Sequence, residues 1–268
     1  MKVSGFTIVR NGVKFDYPIV EAIKSILPVC DEFVVAVGNS DDDTLGLIKI
    51  IGSDKIKIIE TSWDETLREG GKVLAVETDK AYQAISPDSD WAFYIQADEV
   101  FHENDLPKIK EAMLKWKDKK HVEGLVFNHI NFYGTFDYYA DSRKWNKKEV
   151  RVIRNDKSIS SWKDAMSFRK NGKKLHVKFV DALIYHYGWV KAPLAQQKKR
   201  ESFNKLWHDD EFVRKNIEAP EFDYSKIDSV ATFEGSHPSV MRERIARQNW
   251  KFEFDKSKAM KPSLRLRI

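Results

Sequence analysis

The chain has 268 residues, of which 42% are hydrophobic and 32% charged, and its formal net charge is +5. This is the profile of a folded chain long enough for one α/β domain plus an appendage, and it excludes a disordered protein. The single cysteine, Cys30, excludes an intrachain disulfide and a cysteine-rich zinc site, and no apolar run reaches the roughly 18 residues of a membrane span.

The opening MKVSGFTIVRNG lacks the apolar core of a signal peptide, so a cytoplasmic location is expected. Cys30, beside SILPV, reads as a small core residue. The positive charge favours anionic partners, and it concentrates late, in QQKKRE, RERIARQ and SLRLRI. Such runs suit either a solvated basic face or a peripheral contact with the inner face of a membrane.

In chain order, Ser4 to Arg10 predicts a buried strand. Pro18 to Leu27 predicts a helix with Ile19, Ile23, Ile26 and Leu27 on one stripe. A second strand, EFVVAV (32–37), runs into the polar turn GNSDDDT, and KIKIIET (55–61) is a third. After a Gly-Gly pair, residues 72–85 carry a helical pattern, and WAFYIQA (91–97) is a fourth strand ending at Asp98 and Glu99. This alternation predicts β-α-β units and a mainly parallel sheet flanked by helices, with ligands beyond the carboxyl ends of the strands. Beyond residue 120, longer strand-like runs without an intervening helix predict antiparallel or mixed additions. From Lys191 the pattern is helical, so a domain of residues 1–190 is expected to carry a helical C-terminal extension, 191–268.

Asp98 and Glu99 are adjacent carboxylates at a strand end. Desolvating them is costly unless a divalent cation or diphosphate compensates, although the pair also suits a loop start that caps the next helix. Arg68 and Lys72 flank Gly70 and Gly71 at a helix start, where cations and the helix dipole favour an anion; ordinary surface charge is the other reading. Asp41, Asp42 and Asp43 fit turn and N-cap roles. Trp145, Trp162, Tyr187 and Trp189 offer flat faces for a sugar or fill a core.

The order of strands and helices, the turn NSDDDT and the segment WAFYIQADEV resemble the family 2 glycosyltransferases with the GT-A fold, over roughly residues 3 to 100. The resemblance implies a Rossmann-like α/β fold and transfer of a sugar, with inversion, from a UDP- or GDP-linked nucleotide-sugar donor to a saccharide or lipid-linked saccharide acceptor, as in cell-surface polysaccharide or lipopolysaccharide synthesis. Gln96-Ala97-Asp98 stands where that family carries an Asp-x-Asp motif, with an amide replacing the first acid. Mn2+ or Mg2+ is thereby implied on Asp98, with Glu99 assisting and His186, in LIYHYGWV, completing the site. Val9, Arg10 and Asn11 correspond to the loop that grips the nucleotide, with Asn39 near the base, Arg68 and Lys72 beside the donor, and Gln96 and Ala97 at its edge. Asp164, in SSWKDAMSF, corresponds to the catalytic base.

Two other readings remain. A sugar-phosphate nucleotidyltransferase needs a Gly-rich phosphate loop, whereas TIVRNGVKF has one glycine. A basic nucleic-acid-binding protein fits the charge, but no standard nucleic-acid motif is present, so no nucleic-acid partner is expected.

Overall fold

The computed structural model describes residues 1–254. The chain begins with β1 (Val3–Val9), α1 (Ile19–Ile26), β2 (Glu32–Gly38), α2 (Thr44–Lys49), β3 (Ile56–Thr61), α3 (Lys72–Gln83) and β4 (Trp91–Tyr94). It continues through β5 (Glu99–Phe101), α4 (Leu106–Trp116), β6 (Gly124–Tyr133), β7 (Tyr138–Ala140) and β8 (Lys148–Arg154). Then come β9 (Ile159–Trp162), β10 (Ser167–Lys170), β11 (Lys173–Lys174) and the long β12 (Val177–Trp189). The last elements are α5 (Pro193–Asn204), α6 (Asp210–Asn216), β13 (Val230–Thr232) and α7 (Arg242–Ala246).

The architecture is the expected α/β one. β3, β2, β1 and β4 lie side by side and parallel. Beyond them β8 pairs antiparallel with β4, and β6 antiparallel with β8, which are the mixed additions expected after residue 120. β12 runs parallel to β6 and antiparallel to the short β5. Alternation along β2 shows why both faces of this sheet are covered: Phe33, Val35 and Val37 join the core under α1 and α4, while Val34 and Ala36 pack with Ala81 and Tyr82 of α3. Cys30 sits buried in the first of these cores, and burial pushes its thiol pKa up, as suits a packing residue.

Two boundaries differ from expectation in ways that matter for the site. The fourth strand ends at Tyr94, not at Asp98; the chain turns at Ala97–Asp98 and Glu99 opens β5, paired in register with His186. The C-terminal segment is helical in α5, α6 and α7, yet it also contributes β13, which pairs antiparallel with β7. It is fastened to the start of the chain by Arg244, which donates to Glu21 at 2.9 Å and to Asp16 at 2.5 Å. The basic runs QQKKRE and RERIARQ lie on and beside α5 and α7, whereas SLRLRI is outside the described residues. Among the described residues, no helix is long and apolar enough to cross a membrane.

Candidate active site

The carboxyl ends of β1 and β4 open into a cleft of about 510 Å³, which α5 also lines. Val9, Arg10, Gln96, Ala97, Asp98, Asp164 and His186 all line it, although they come from four different stretches of chain.

Asp98 lies on the tight turn between β4 and β5 and is 8% exposed. Its Oδ1 is 3.5 Å from His186 Nε2 on β12. Lys199, on α5, donates from Nζ to Asp98 Oδ2 at 3.0 Å and to the Gly188 carbonyl at 2.9 Å. Burial alone would raise the Asp98 pKa, but Lys199 and His186 outweigh it and hold the carboxyl well below its usual range. The Lys199 ammonium also lies 4.9 Å from the ring centre of Tyr17.

Glu99 points away from the cleft. The side-chain direction reverses between consecutive residues entering a strand, so Glu99 is carried into the sheet interior, where it is fully buried. Arg151 grips it with two bonds of 2.7 Å, His129 Nε2 lies 3.3 Å from it, and the Gln96 N–H donates to it at 3.1 Å. Burial works against the Glu99 charge, but Arg151 and His129 hold its pKa low. This is a buried structural ion pair, which corrects the expectation of Glu99 as a metal ligand.

The remaining donor set does not fit a divalent cation either. Among the described residues no three His, Cys, Asp or Glu side chains gather to hold one. Where the Asp-x-Asp motif has its first acid this chain has Gln96, a neutral amide whose Nε2 donates to the Ala165 carbonyl at 3.2 Å. A cation bonded to Asp98 would share that carboxylate with the Lys199 ammonium, already 3.0 Å from Oδ2, and the two like charges repel.

Asp164 lines the same cleft from the turn joining β9 and β10. Both neighbours are left-handed without being glycine, Lys163 at φ 56° and Ala165 at φ 61°. Such backbone costs about 1 kcal/mol or more per residue and concentrates where a side chain must be aimed. Gln96 holds this turn through the Ala165 carbonyl, and Gly71 packs against it so closely that a Cβ there would lie 2.8 Å from the Asp164 Cβ. Burial pushes the Asp164 pKa up, only partly offset by a backbone N–H and Lys163.

The other expected donor contacts divide. Arg10 lines the cleft, lies over Trp63, and donates to the Asn39 carbonyl at 3.0 Å and to Glu65 at 2.6 Å. Asn11 and Asn39 do not face it. Asn11 ties the loops after β1 and β2 together through Ser40 and Asp41, and Asn39 accepts from the Trp63 N–H. Arg68 pairs with Asp210 beside a smaller hollow, and Lys72 pairs with Glu69 in solvent, so neither belongs to the cleft.

Sequence reasoning missed the α5 contribution. Gln196, Lys199, Arg200, Phe203 and Asn204 recur at helical spacing and all face the cleft, followed by Trp207 beyond the helix end. That stripe was legible inside the basic run but has little apolar character to mark it. Trp63 Nε1, His186 Nδ1, Gln196 Oε1 and Trp207 Nε1 are buried without partners among the described residues, and all four residues line the cleft. Unmet polar groups gathered around one cavity are what a polar ligand satisfies. Trp189, Asn131, Asn146 and Glu149 also line the cleft and add an aromatic ring, two amides and a carboxylate to it.

The sequence matches no protein-family profile and no curated protein. Among solved structures, it is similar to S. aureus TarS at 14% identity and a TM-score of 0.41, over 76% of this chain and 39% of that one. A shorter form of TarS, residues 1–349, has been solved with UDP. Similarity also extends to 4-diphosphocytidyl-2C-methyl-D-erythritol synthase from Anaerococcus prevotii, at 11% identity and TM-score 0.43, over 76% of this chain and 94% of that one. A third is glucosyl-3-phosphoglycerate synthase from Mycobacterium tuberculosis, solved with Mn2+, UDP and phosphoglyceric acid, at 19% identity and TM-score 0.32, over 49% of this chain and 43% of that one. The chain thus spans less than half the length of the first and third.

Proposed function

We propose that the chain is a glycosyltransferase acting on a nucleotide-sugar donor, UDP- or GDP-linked, and a saccharide acceptor. The observation that carries this reading is the presence, in one cleft at the carboxyl ends of the strands, of a polar group made by Asp98, His186 and Lys199 and of a carboxylate outside that group, Asp164, whose pKa burial raises. The first suits a diphosphate, the second a hydroxyl to be deprotonated.

In this reading the nucleoside lies toward Val9, Arg10 and Trp63, and the acceptor stacks on Trp189 with its hydroxyls on Asn131, Asn146 and Glu149. Asp164 removes the acceptor hydroxyl proton as that oxygen bonds to the anomeric carbon. The bond from that carbon to the diphosphate oxygen breaks, its electron pair leaves with the nucleoside diphosphate, and the anomeric centre inverts. Work at the cytoplasmic face, on cell-surface polysaccharide or lipopolysaccharide, is the pathway the family resemblance suggests.

The testing experiment follows UDP or GDP release from nucleotide sugars offered with mono- and oligosaccharide acceptors. Acceptor-dependent release is expected; if no nucleotide sugar is consumed and neither UDP nor GDP binds in calorimetry, the reading fails. Gly188→Ala offers a finer check. A Cβ there would lie 2.6 Å from His186 Nε2 and 2.7 Å from Asp98 Oδ2, forcing the two apart. Misplacement on that scale is expected to lower kcat/KM about 10²-fold with the cooperative melt retained.

A further inference from the structure

The cation beside the acidic residue of the cleft is part of the chain itself. From its position, and resting on the reading of the cleft as a donor site, we infer that the Lys199 ammonium, seated on Asp98, binds the donor's diphosphate in place of a divalent metal.

Three observations support this. Lys199 bridges Asp98 Oδ2 and the Gly188 carbonyl, which uses two of its three N–H groups; among the described residues the third has no acceptor, and the side chain borders the cleft. The Asp98 side chain, only 12% exposed, is thereby neutralised and held at a fixed place, as a metal would hold it. The amide at Gln96 and the inward turn of Glu99 remove the two other carboxylates that a metal would need.

Lys199 keeps its charge in this setting. Burial would lower its pKa, but Asp98 and then Tyr17 raise it above the ordinary lysine value. Lys191 behaves otherwise: fully buried, donating to the Asp16 carbonyl and facing Lys199, it is pushed down to about 7. One lysine is a retained cation at the cleft and the other a packing residue behind it. During transfer the Lys199 ammonium hydrogen-bonds the diphosphate oxygens as the bond to the sugar breaks, and Arg200 lines the same wall.

Calorimetric titration with UDP and with GDP, each in excess EDTA and in Mn2+, tests this on the wild type, Lys199→Ala and Lys199→Arg. The wild type is expected to bind one nucleotide in EDTA within about threefold of its affinity in Mn2+. Lys199→Ala is expected to lose about tenfold or more in EDTA, the worth of one charge-assisted hydrogen bond, while Lys199→Arg retains metal-free binding. Binding by the wild type only in Mn2+ overturns the inference and leaves the glycosyltransferase reading standing. So does unchanged EDTA affinity in Lys199→Ala. Absence of binding in every condition removes both. Thermal melts accompany each variant, and if Lys199→Ala does not fold, the wild-type comparison and Lys199→Arg decide.

Discussion

Asp164→Asn is expected to lower sugar transfer by about 10²- to 10⁴-fold, the usual contribution of a positioned general base, while leaving nucleotide affinity unchanged. The substitution keeps the shape of the side chain and the strained turn at Lys163 and Ala165, so it removes proton acceptance and little else. Nucleotide affinity is spared because the groups suited to the diphosphate, Asp98, His186 and Lys199, are other residues of the cleft, paired with one another. The pH profile supplies a second readout. A base works deprotonated, and burial raises the Asp164 pKa above its ordinary 3.8, so transfer by the wild type rises with pH through that elevated value. The residual activity of Asp164→Asn lacks this limb. Full transfer in the variant would show that another carboxylate is the base, and Glu149, which also lines the cleft and is also raised by burial, is the group to change next.

Arg151→Met is expected to destabilise the fold by about 3–5 kcal/mol, because it leaves Glu99 buried without its principal counter-charge. That is a large part of the 5–15 kcal/mol typical of a domain, so a lowered melting temperature at pH 7 is the measurement. The pH dependence changes sign with the substitution. In the wild type, the Glu99 pKa is held below its unfolded value of 4.5, so its stabilisation is present above that pH and is lost as pH falls through the folded value. In Arg151→Met burial dominates and raises the folded pKa above 4.5, so this contribution stabilises at acid pH and is lost as pH rises. The double variant Glu99→Gln, Arg151→Met is expected to recover much of the loss, since no charge is then stranded. A single variant that melts like the wild type across pH 4 to 8 would contradict the buried-pair account.

The first hundred residues were legible because their periodicities are local. Ile19, Ile23 and Ile26 sit on one helical stripe and are fully buried on α1, and the alternation in EFVVAV fills both cores. The strand end before a turn marked Asp98, and the family resemblance added Val9, Arg10, Asp164 and His186; all five line one cleft in the structure. Asn11, Asn39, Arg68 and Lys72 were the right kinds of residue beside the right loops, but a hydrogen-bonding side chain there serves a neighbouring loop as readily as a ligand. Those four are tied to Ser40 and Asp41, Trp63, Asp210 and Glu69.

The sequence by itself determined the α/β order, the covered sheet and the carboxylate at the turn after the fourth strand, because hydrophobic rhythm and turn chemistry act over a few residues. Tertiary structure alone decided which of two adjacent acids faces the cleft and what cation meets it. Glu99 is drawn inward by pairing of β5 with β12 and by Arg151 of β8, 52 positions on, and Asp98 receives Lys199 from a helix 101 positions away. Contacts at such separations depend on how distant segments pack, and a charged side chain leaves no periodic mark that says which buried partner it will meet.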